Sequence, residues 1–186
     1  MPKVDLHGFH VAALVSDRFE EVELVGPKEA LEEAGAQVKI IASIPEVQAM
    51  RHYELGGKYH CDRTLDQARA SNFDAMLLPG GVINGDNLRL QPAAQRFARE
   101  IVEANKPVAV ICHGGWLLIS SGLVAGRKLT SWPTLQDDYR NAGARWVDEE
   151  VVVDRNFVSS RKPDDIPAFN REMLRVFADS RRAQAA

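Results

Sequence analysis

Short apolar runs alternate with longer amphipathic stretches along this chain. His10-Val11-Ala12-Ala13-Leu14-Val15 is an apolar run of strand length. Residues 20–34 carry Val22, Leu24, Val25, Ala30, Leu31 and Ala34 at near-helical spacing, and Gly35 stops the pattern. Val38-Lys39-Ile40-Ile41-Ala42 then reads as a second strand. Strand, helix and strand within about thirty residues predict a βαβ unit, whose right-handed crossover requires a parallel sheet.

From residue 47 to 65 the rhythm breaks. Tyr53, Gly56-Gly57 and Tyr59 predict a hairpin or irregular insert, followed by a short helix over 66–70. Alternation resumes with a buried strand over 73–78, ending at Pro79-Gly80-Gly81, and a helix over 92–104. A nearly all-apolar strand over 107–111 leads to a helix over 116–121 that stops at Gly122, and 128–132 reads as another strand. Downstream the pattern predicts a helix over 135–142, strands over 144–153 and 156–160 joined at Asp154-Arg155, and a closing amphipathic helix over 166–181. Residues 183–186 read as a frayed tail. The sum is an α/β fold: a three-layer sandwich with a mostly parallel sheet flanked by helices, one domain over 1–186. Active sites in such folds sit beyond the carboxyl ends of the strands.

Composition narrows the setting. The formal net charge is −3, from 23 basic and 26 acidic residues, so no long-range field favours nucleic acid or an anionic membrane. The first eight residues carry no apolar core of a signal peptide, and no run reaches the length that spans a bilayer, so the expectation is a cytoplasmic protein without membrane contact. Two cysteines, Cys61 and Cys112, are too few for a disulfide framework. Cys61 lies in the irregular insert and reads as structural.

The sharpest local feature is Val108-Ala109-Val110-Ile111-Cys112-His113-Gly114-Gly115-Trp116. A buried strand runs into a reactive side chain, then two glycines, then a helix. Glycines there permit a tight turn, and the following helix offers free N–H groups and a positive dipole end that favour a thiolate or an oxyanion. The turn is similar to the nucleophile elbow of hydrolases, without the leading glycine of that motif. A small free cysteine at a strand end is equally a common core residue. Pro79-Gly80-Gly81 ends the preceding strand, where its N–H groups can face the same crevice and form an oxyanion hole. Glu20-Glu21-Val22-Glu23 follows the first strand. Carboxylates in a first helical turn are ordinarily surface groups, but one pointing at Cys112 must be protonated to donate to a thiolate, with its pKa raised by burial.

At these residues the chain resembles the DJ-1/PfpI superfamily, most closely its PfpI branch of intracellular proteases, general stress proteins and deglycase-like enzymes. The resemblance runs from Phe19-Glu20-Glu21-Val22-Glu23-Leu24 through Leu78-Pro79-Gly80-Gly81 and Ile111-Cys112-His113-Gly114 to Thr130-Ser131, Asn141-Ala142-Gly143-Ala144 and Glu150-Val151-Val152-Val153-Asp154. It implies a flavodoxin-like, class I glutamine amidotransferase-like architecture. It also implies Cys112 as nucleophile, His113 as its adjacent partner, Glu23 as the buried carboxyl bonded to the sulfur, and Glu20 lining the same pocket. Gly80 and Gly81 would supply the oxyanion site. Some members take a third catalytic acid from a neighbouring subunit just after the Pro-Gly-Gly loop; Asp86 is the nearest acid here, an aspartate where proteolytic members usually have glutamate. Trp132 falls where relatives often place tyrosine or histidine, and tryptophan donates one N–H but serves as neither acid nor base.

Glutaminase domains of amidotransferases share the cysteine elbow but need a later histidine. The five histidines here are His7, His10, His52, His60 and His113, and none follows the elbow. The same set lacks familiar metal-ligand spacing, so no metal is expected, and no cofactor. Three functions remain: thiol chemistry on small-molecule carbonyls, which the resemblance implies to be methylglyoxal or glycated protein and nucleotide adducts; a cysteine peptidase formed across subunits, implied by the same branch; and a redox-sensing or chaperone-like stress protein without turnover. Each implies a homo-oligomer, at least a homodimer, with Val82-Ile83 and Leu88 as apolar contact residues and no stable nucleic-acid complex.

Overall fold

A computed structural model describes residues 4–184. Its first half contains β1 (His10–Leu14), β2 (Phe19–Glu20), α1 (Glu21–Glu33), β3 (Gln37–Ala42), β4 (Glu46–Arg51), β5 (Glu54–His60), β6 (Arg63–Thr64), β7 (Ala75–Leu78) and α2 (Val82–Arg89). The second half contains α3 (Pro92–Glu103), β8 (Val108–Ile111), α4 (Gly115–Ser120), β9 (Lys128–Leu129), α5 (Gln136–Asn141), β10 (Arg145–Trp146), β11 (Val151–Asp154), β12 (Phe157–Ser160) and α6 (Ile166–Gln184). Seven strands form the central sheet in the order β11-β12-β8-β7-β1-β3-β6. All neighbours pair parallel except β11, which turns back on β12 through Asp154-Arg155.

Successive side chains on a strand point to opposite faces, and both faces of this sheet are covered. Val11 and Ala13 of β1, Ala75 and Leu77 of β7, and Ala109 and Ile111 of β8 enter one core with Leu24 and Leu31 of α1 and Phe169, Met173 and Phe177 of α6. Ala12 and Leu14, Met76 and Leu78, and Val108 and Val110 enter the other, with Phe97 and Ile101 of α3, Leu117 and Leu118 of α4, and Tyr139 of α5. Hence the strands read as unbroken apolar runs, while α6 buries Phe169, Met173 and Phe177 at four-residue intervals. The carboxyl ends of β1, β7 and β8 lie side by side at mid-sheet, so the loops that follow them converge on one edge.

Several elements depart from the pattern-based expectation. The helix expected from residue 20 begins at Glu21, because Phe19-Glu20 pairs with Ala49-Met50 of β4 to start a separate three-stranded sheet with β5. The short helix expected over 66–70 is absent: Leu65 and Ala70 are the buried residues there, five apart, which gives no helical face, and only a 3₁₀ turn forms over Ala70–Asn72. The 128–132 strand stops at Leu129, since the Thr130 N–H turns to Ser159 Oγ (3.0 Å) and Pro133 follows. The 144–153 strand splits, β10 pairing with β9 in its own two-stranded sheet and β11 with β12.

Helix α2 had no apolar periodicity to reveal it, because a polar residue faces inward. Asn84 is fully buried, accepts the Ser16 N–H (2.6 Å) and donates to the carbonyls of Pro79 and Gly80 (3.0 Å each). Leu88, expected to be an exposed contact residue, is buried in the α3–α4 core, while Val82 and Ile83 are exposed. The closing helix continues through Ala183 and Gln184, which the sequence placed in the tail; Ala185 and Ala186 lie outside the described residues. Cys61 and Cys112 are both free, and no helix among the described residues is long and apolar enough to cross a membrane.

Two glycines around α4 separate packing from backbone strain. A Cβ on Gly115 would overlap the Tyr139 ring, standing 2.8 Å from Cζ, whereas one on Gly122 would touch nothing but must hold φ +74°. Gly115→Ala is therefore expected to destabilise by about 2–3 kcal/mol through overpacking, and Gly122→Ala by about 1 kcal/mol through strain alone, both read from urea unfolding midpoints.

Candidate active site

Strand β8 ends at Ile111 in extended conformation, and the next residue, Cys112, has φ +59°. A left-handed backbone at a non-glycine residue costs about 1–2 kcal/mol, so the surroundings must enforce it. They do so through two interlocked glycine loops. A Cβ on Gly114 would stand 2.7 Å from the Pro79 carbonyl oxygen, and one on Gly80 would stand 2.6 Å from Cys112 Cβ. Only hydrogen at both positions lets the end of β7 press against the elbow. The Cys112–Gly114 turn is 3₁₀ and passes directly into α4.

Glu23 comes to this junction from the first turns of α1. It is wholly buried, and Oε2 accepts the Gly80 N–H at 2.8 Å. Among the described residues Oε1 has no hydrogen-bond partner. Burial, and next the charge of Glu20, push the Glu23 carboxyl up to about 8, so it holds its proton at neutral pH. Because Oε2 accepts from Gly80, that proton belongs on Oε1, the free oxygen. Glu23 and the Cys112 thiol lie close enough to shift each other's titration.

Cys112 is 7% exposed. Burial, and next the Glu23 charge, raise its thiol, while the N–H groups of Gly81 and His113 bond the sulfur and oppose the rise. The contribution from Glu23 exists only while that carboxyl is ionised. Protonated, it turns from a repelling charge into a third donor toward a thiolate. The Gly80 N–H, expected to line an oxyanion hole, is spent on Glu23; the Gly81 N–H is the one that faces the sulfur.

His113 Nδ1 lies 3.1 Å from Cys112 Sγ. Its ring stacks on Trp132 (5.9 Å between centroids, 29°) and meets the edge of Trp116 (5.1 Å). That apolar enclosure holds its pKa down at about 4, so the ring is neutral and orients the thiol without carrying charge. Trp116 is fixed in turn by its N–H to Asp138 Oδ2 (2.8 Å).

The thiol opens into a cleft of about 410 Å³ whose walls include Glu20, Glu23, Gly81, Cys112, His113 and Trp132. Glu20 accepts the His52 N–H at 3.1 Å, which ties the rim to the tip of the β4–β5 hairpin. Sequence reasoning passed over the remaining walls: His52 and Tyr53 of that tip, Val82, and the Lys162-Pro163-Asp164 turn. The glycine pair 56–57 and the positive φ of His52 (+57°) mark the hairpin, but nothing in the residue order aims its tip at Cys112. Asp86 is apart from this constellation. It lies exposed on α2 and does not line the cleft.

Known proteins resemble this chain over most of its length. The family model described as "DJ-1/PfpI family" matches residues 10–176. YraA of Bacillus subtilis (strain 168), provisionally named a cysteine protease, is 42% identical over 168 residues, covering 89% of this chain and 96% of that one. Deglycase PH1704 of Pyrococcus horikoshii is 43% identical over 166 residues, covering 89% and 98%. Among solved structures, a two-domain protein from Anabaena variabilis, with DJ-1/ThiJ/PfpI-like and ferritin-like domains, aligns with a TM-score of 0.84 and 34% identity. That alignment covers 90% of this chain and 47% of the longer one. The chain belongs to the DJ-1/PfpI family.

Proposed function

We propose that this protein is a deglycase- or glyoxalase-type enzyme acting on reactive carbonyls or their adducts, with Cys112 as nucleophile. The observation that carries the reading is the wholly buried, protonated Glu23 carboxyl, one oxygen of it without a partner among the described residues, packed with the Cys112 side chain against Gly80. The deglycase name of a relative at 43% identity supports the same class of substrate.

In this scheme the Cys112 thiol gives its proton to solvent as the sulfur adds to the aldehyde carbon of an α-oxoaldehyde, and the new alkoxide takes the Glu23 proton, giving a hemithioacetal. With an amine adduct, the C–S bond forms as the C–N bond breaks and the amine leaves with the Glu23 proton. Glu23, now a carboxylate, moves the proton from C1 to C2 while the C1 hydroxyl proton passes to the C2 oxygen, which oxidises C1 and reduces the neighbouring carbonyl to an alcohol. The product is a thioester of a 2-hydroxy acid; water cleaves it and restores the thiol. A pKa near 8 suits a group that must both give and take a proton near neutral pH. His113, at about 4, is too weak a base for that task and serves to orient the sulfur. No step draws on a cofactor.

The peptidase reading fits less well. It asks His113 to hold a proton for a departing amine, and Asp86 to reach the site from another subunit. Redox sensing uses the same thiol and is separated from turnover by the assay below. The proposal also places the protein in the cytoplasm as at least a homodimer, with Val82 and Ile83 as exposed apolar contact.

Purified protein given methylglyoxal, or its thiol adduct, should release lactate over many turnovers, and Cys112→Ala should release none. Stoichiometric loss alone, or equal loss with the variant, would remove the proposal. Glu23→Gln should lower turnover by about 10²–10⁴-fold and abolish the fall in rate that wild type shows as pH rises through about 8. In the variant, stability should move opposite to activity. The Glu23 pKa in the fold lies above its ordinary 4.5, so the stability linked to its protonation is complete below that value and is lost as pH rises toward about 8. Glu23→Gln should match wild type at about pH 5 in urea unfolding and exceed it by a few kcal/mol at about pH 9.

A further inference from the structure

Between Glu20 and Glu23 stands a third acid that the proposed chemistry leaves unused. Glu21 is buried, yet it points away from Cys112 toward the β4–β5 hairpin. Its Oε1 accepts the Gly57 N–H at 2.7 Å and the Tyr59 hydroxyl at 3.0 Å, and Oε2 accepts Arg51 Nε. Those donors come from both strands of the hairpin. Arg51 bonding holds the carboxyl below its ordinary range, so it stays ionised as an acceptor for all three.

The glycine pair is shaped to the same group. A Cβ on Gly56 would stand 3.0 Å from Glu21 Oε2, and one on Gly57 would stand 2.8 Å from Oε1. Neither glycine has a positive φ, so close approach of the carboxylate, and no special backbone conformation, accounts for both. The hairpin is thus assembled around this side chain. Its tip carries His52, bonded through its N–H to Glu20, and Tyr53, which is 99% exposed; both line the cleft over Cys112.

We infer that Glu21 is a positioning residue: its carboxylate clamps the β4–β5 hairpin so that His52 and Tyr53 form the substrate-binding wall of the cleft. Its loss weakens substrate capture and leaves the chemistry at Cys112 intact. The three acids therefore divide their work, Glu23 facing the thiol, Glu20 holding the hairpin tip and Glu21 its body. The effect on capture rests on the carbonyl reading above; the clamp itself does not.

Glu21→Gln keeps the size but presents an NH₂ to donors that need an acceptor. The expected result with a methylglyoxal adduct is a KM raised about tenfold, in line with the loss of one charged hydrogen bond, and an unchanged kcat. Hydrogen exchange at the Gly57 amide should quicken, while iodoacetamide should alkylate Cys112 at the wild-type rate. Tyr59→Phe, which removes one donor and retains the ring packed on Phe19, should shift KM in the same direction by less. A fallen kcat with normal KM, or unchanged KM in both variants, would overturn the positioning role; unchanged exchange at Gly57 in both would overturn the clamp. If wild type turns over no carbonyl, the functional reading fails separately. The inference is then decided by Gly57 exchange together with alkylation of Cys112 by a bulky maleimide, which Glu21→Gln should accelerate relative to iodoacetamide; an unchanged ratio overturns it.

Discussion

The site depends on one contact: the backbone of Gly80 pressed between the Glu23 carboxyl and the Cys112 side chain. No side chain fits there. The contact ties the end of β7 to the elbow after β8 and to the start of α1, three segments far apart in the chain but adjacent once the parallel sheet orders β1, β7 and β8 side by side. It also removes water from Glu23, and that removal, more than any neighbouring charge, keeps a carboxylic acid protonated at neutral pH. The positive φ of Cys112 is the accompanying cost, borne by a turn that Gly114 allows to pack under the Pro79 carbonyl.

Much of this arrangement was legible in residue order. The apolar runs of β1, β3, β7 and β8 are buried on both faces, so they announce themselves, and the strand-Cys-His-Gly-Gly-helix order announces the tight turn at Cys112. Residues whose roles depend on remote partners were hidden. Asn84 is polar and buried, which erased the helical signature of α2 and let Leu88 pass for a surface residue. The Gly80 N–H was assigned to an oxyanion, because nothing local says that Glu23, far upstream, takes it. Gly56-Gly57 looked like turn punctuation, yet their smallness answers to Glu21.

His113 shows why adjacency in sequence is weak evidence for role. It does reach the sulfur, at 3.1 Å, a contact that residue order alone left open. The two tryptophans around it, however, make a neutral ring of low basicity, so proximity to a thiol does not by itself make it a base. Burial acts oppositely on the two neighbours of the thiol, raising the Glu23 carboxyl and lowering the His113 ring. Trp132, unable to titrate, contributes by enclosing that histidine.

The site turns on the protonation state of Glu23 beside the thiol. Its side-chain carboxyl carbon, labelled with carbon-13 and assigned against Glu23→Gln, should be followed by NMR from acid to alkaline pH. A protonated shift persisting at neutral pH, with a midpoint at about 8, is the predicted result. A midpoint near the ordinary 4.5 would mean an ionised carboxylate facing Cys112, and would contradict the account.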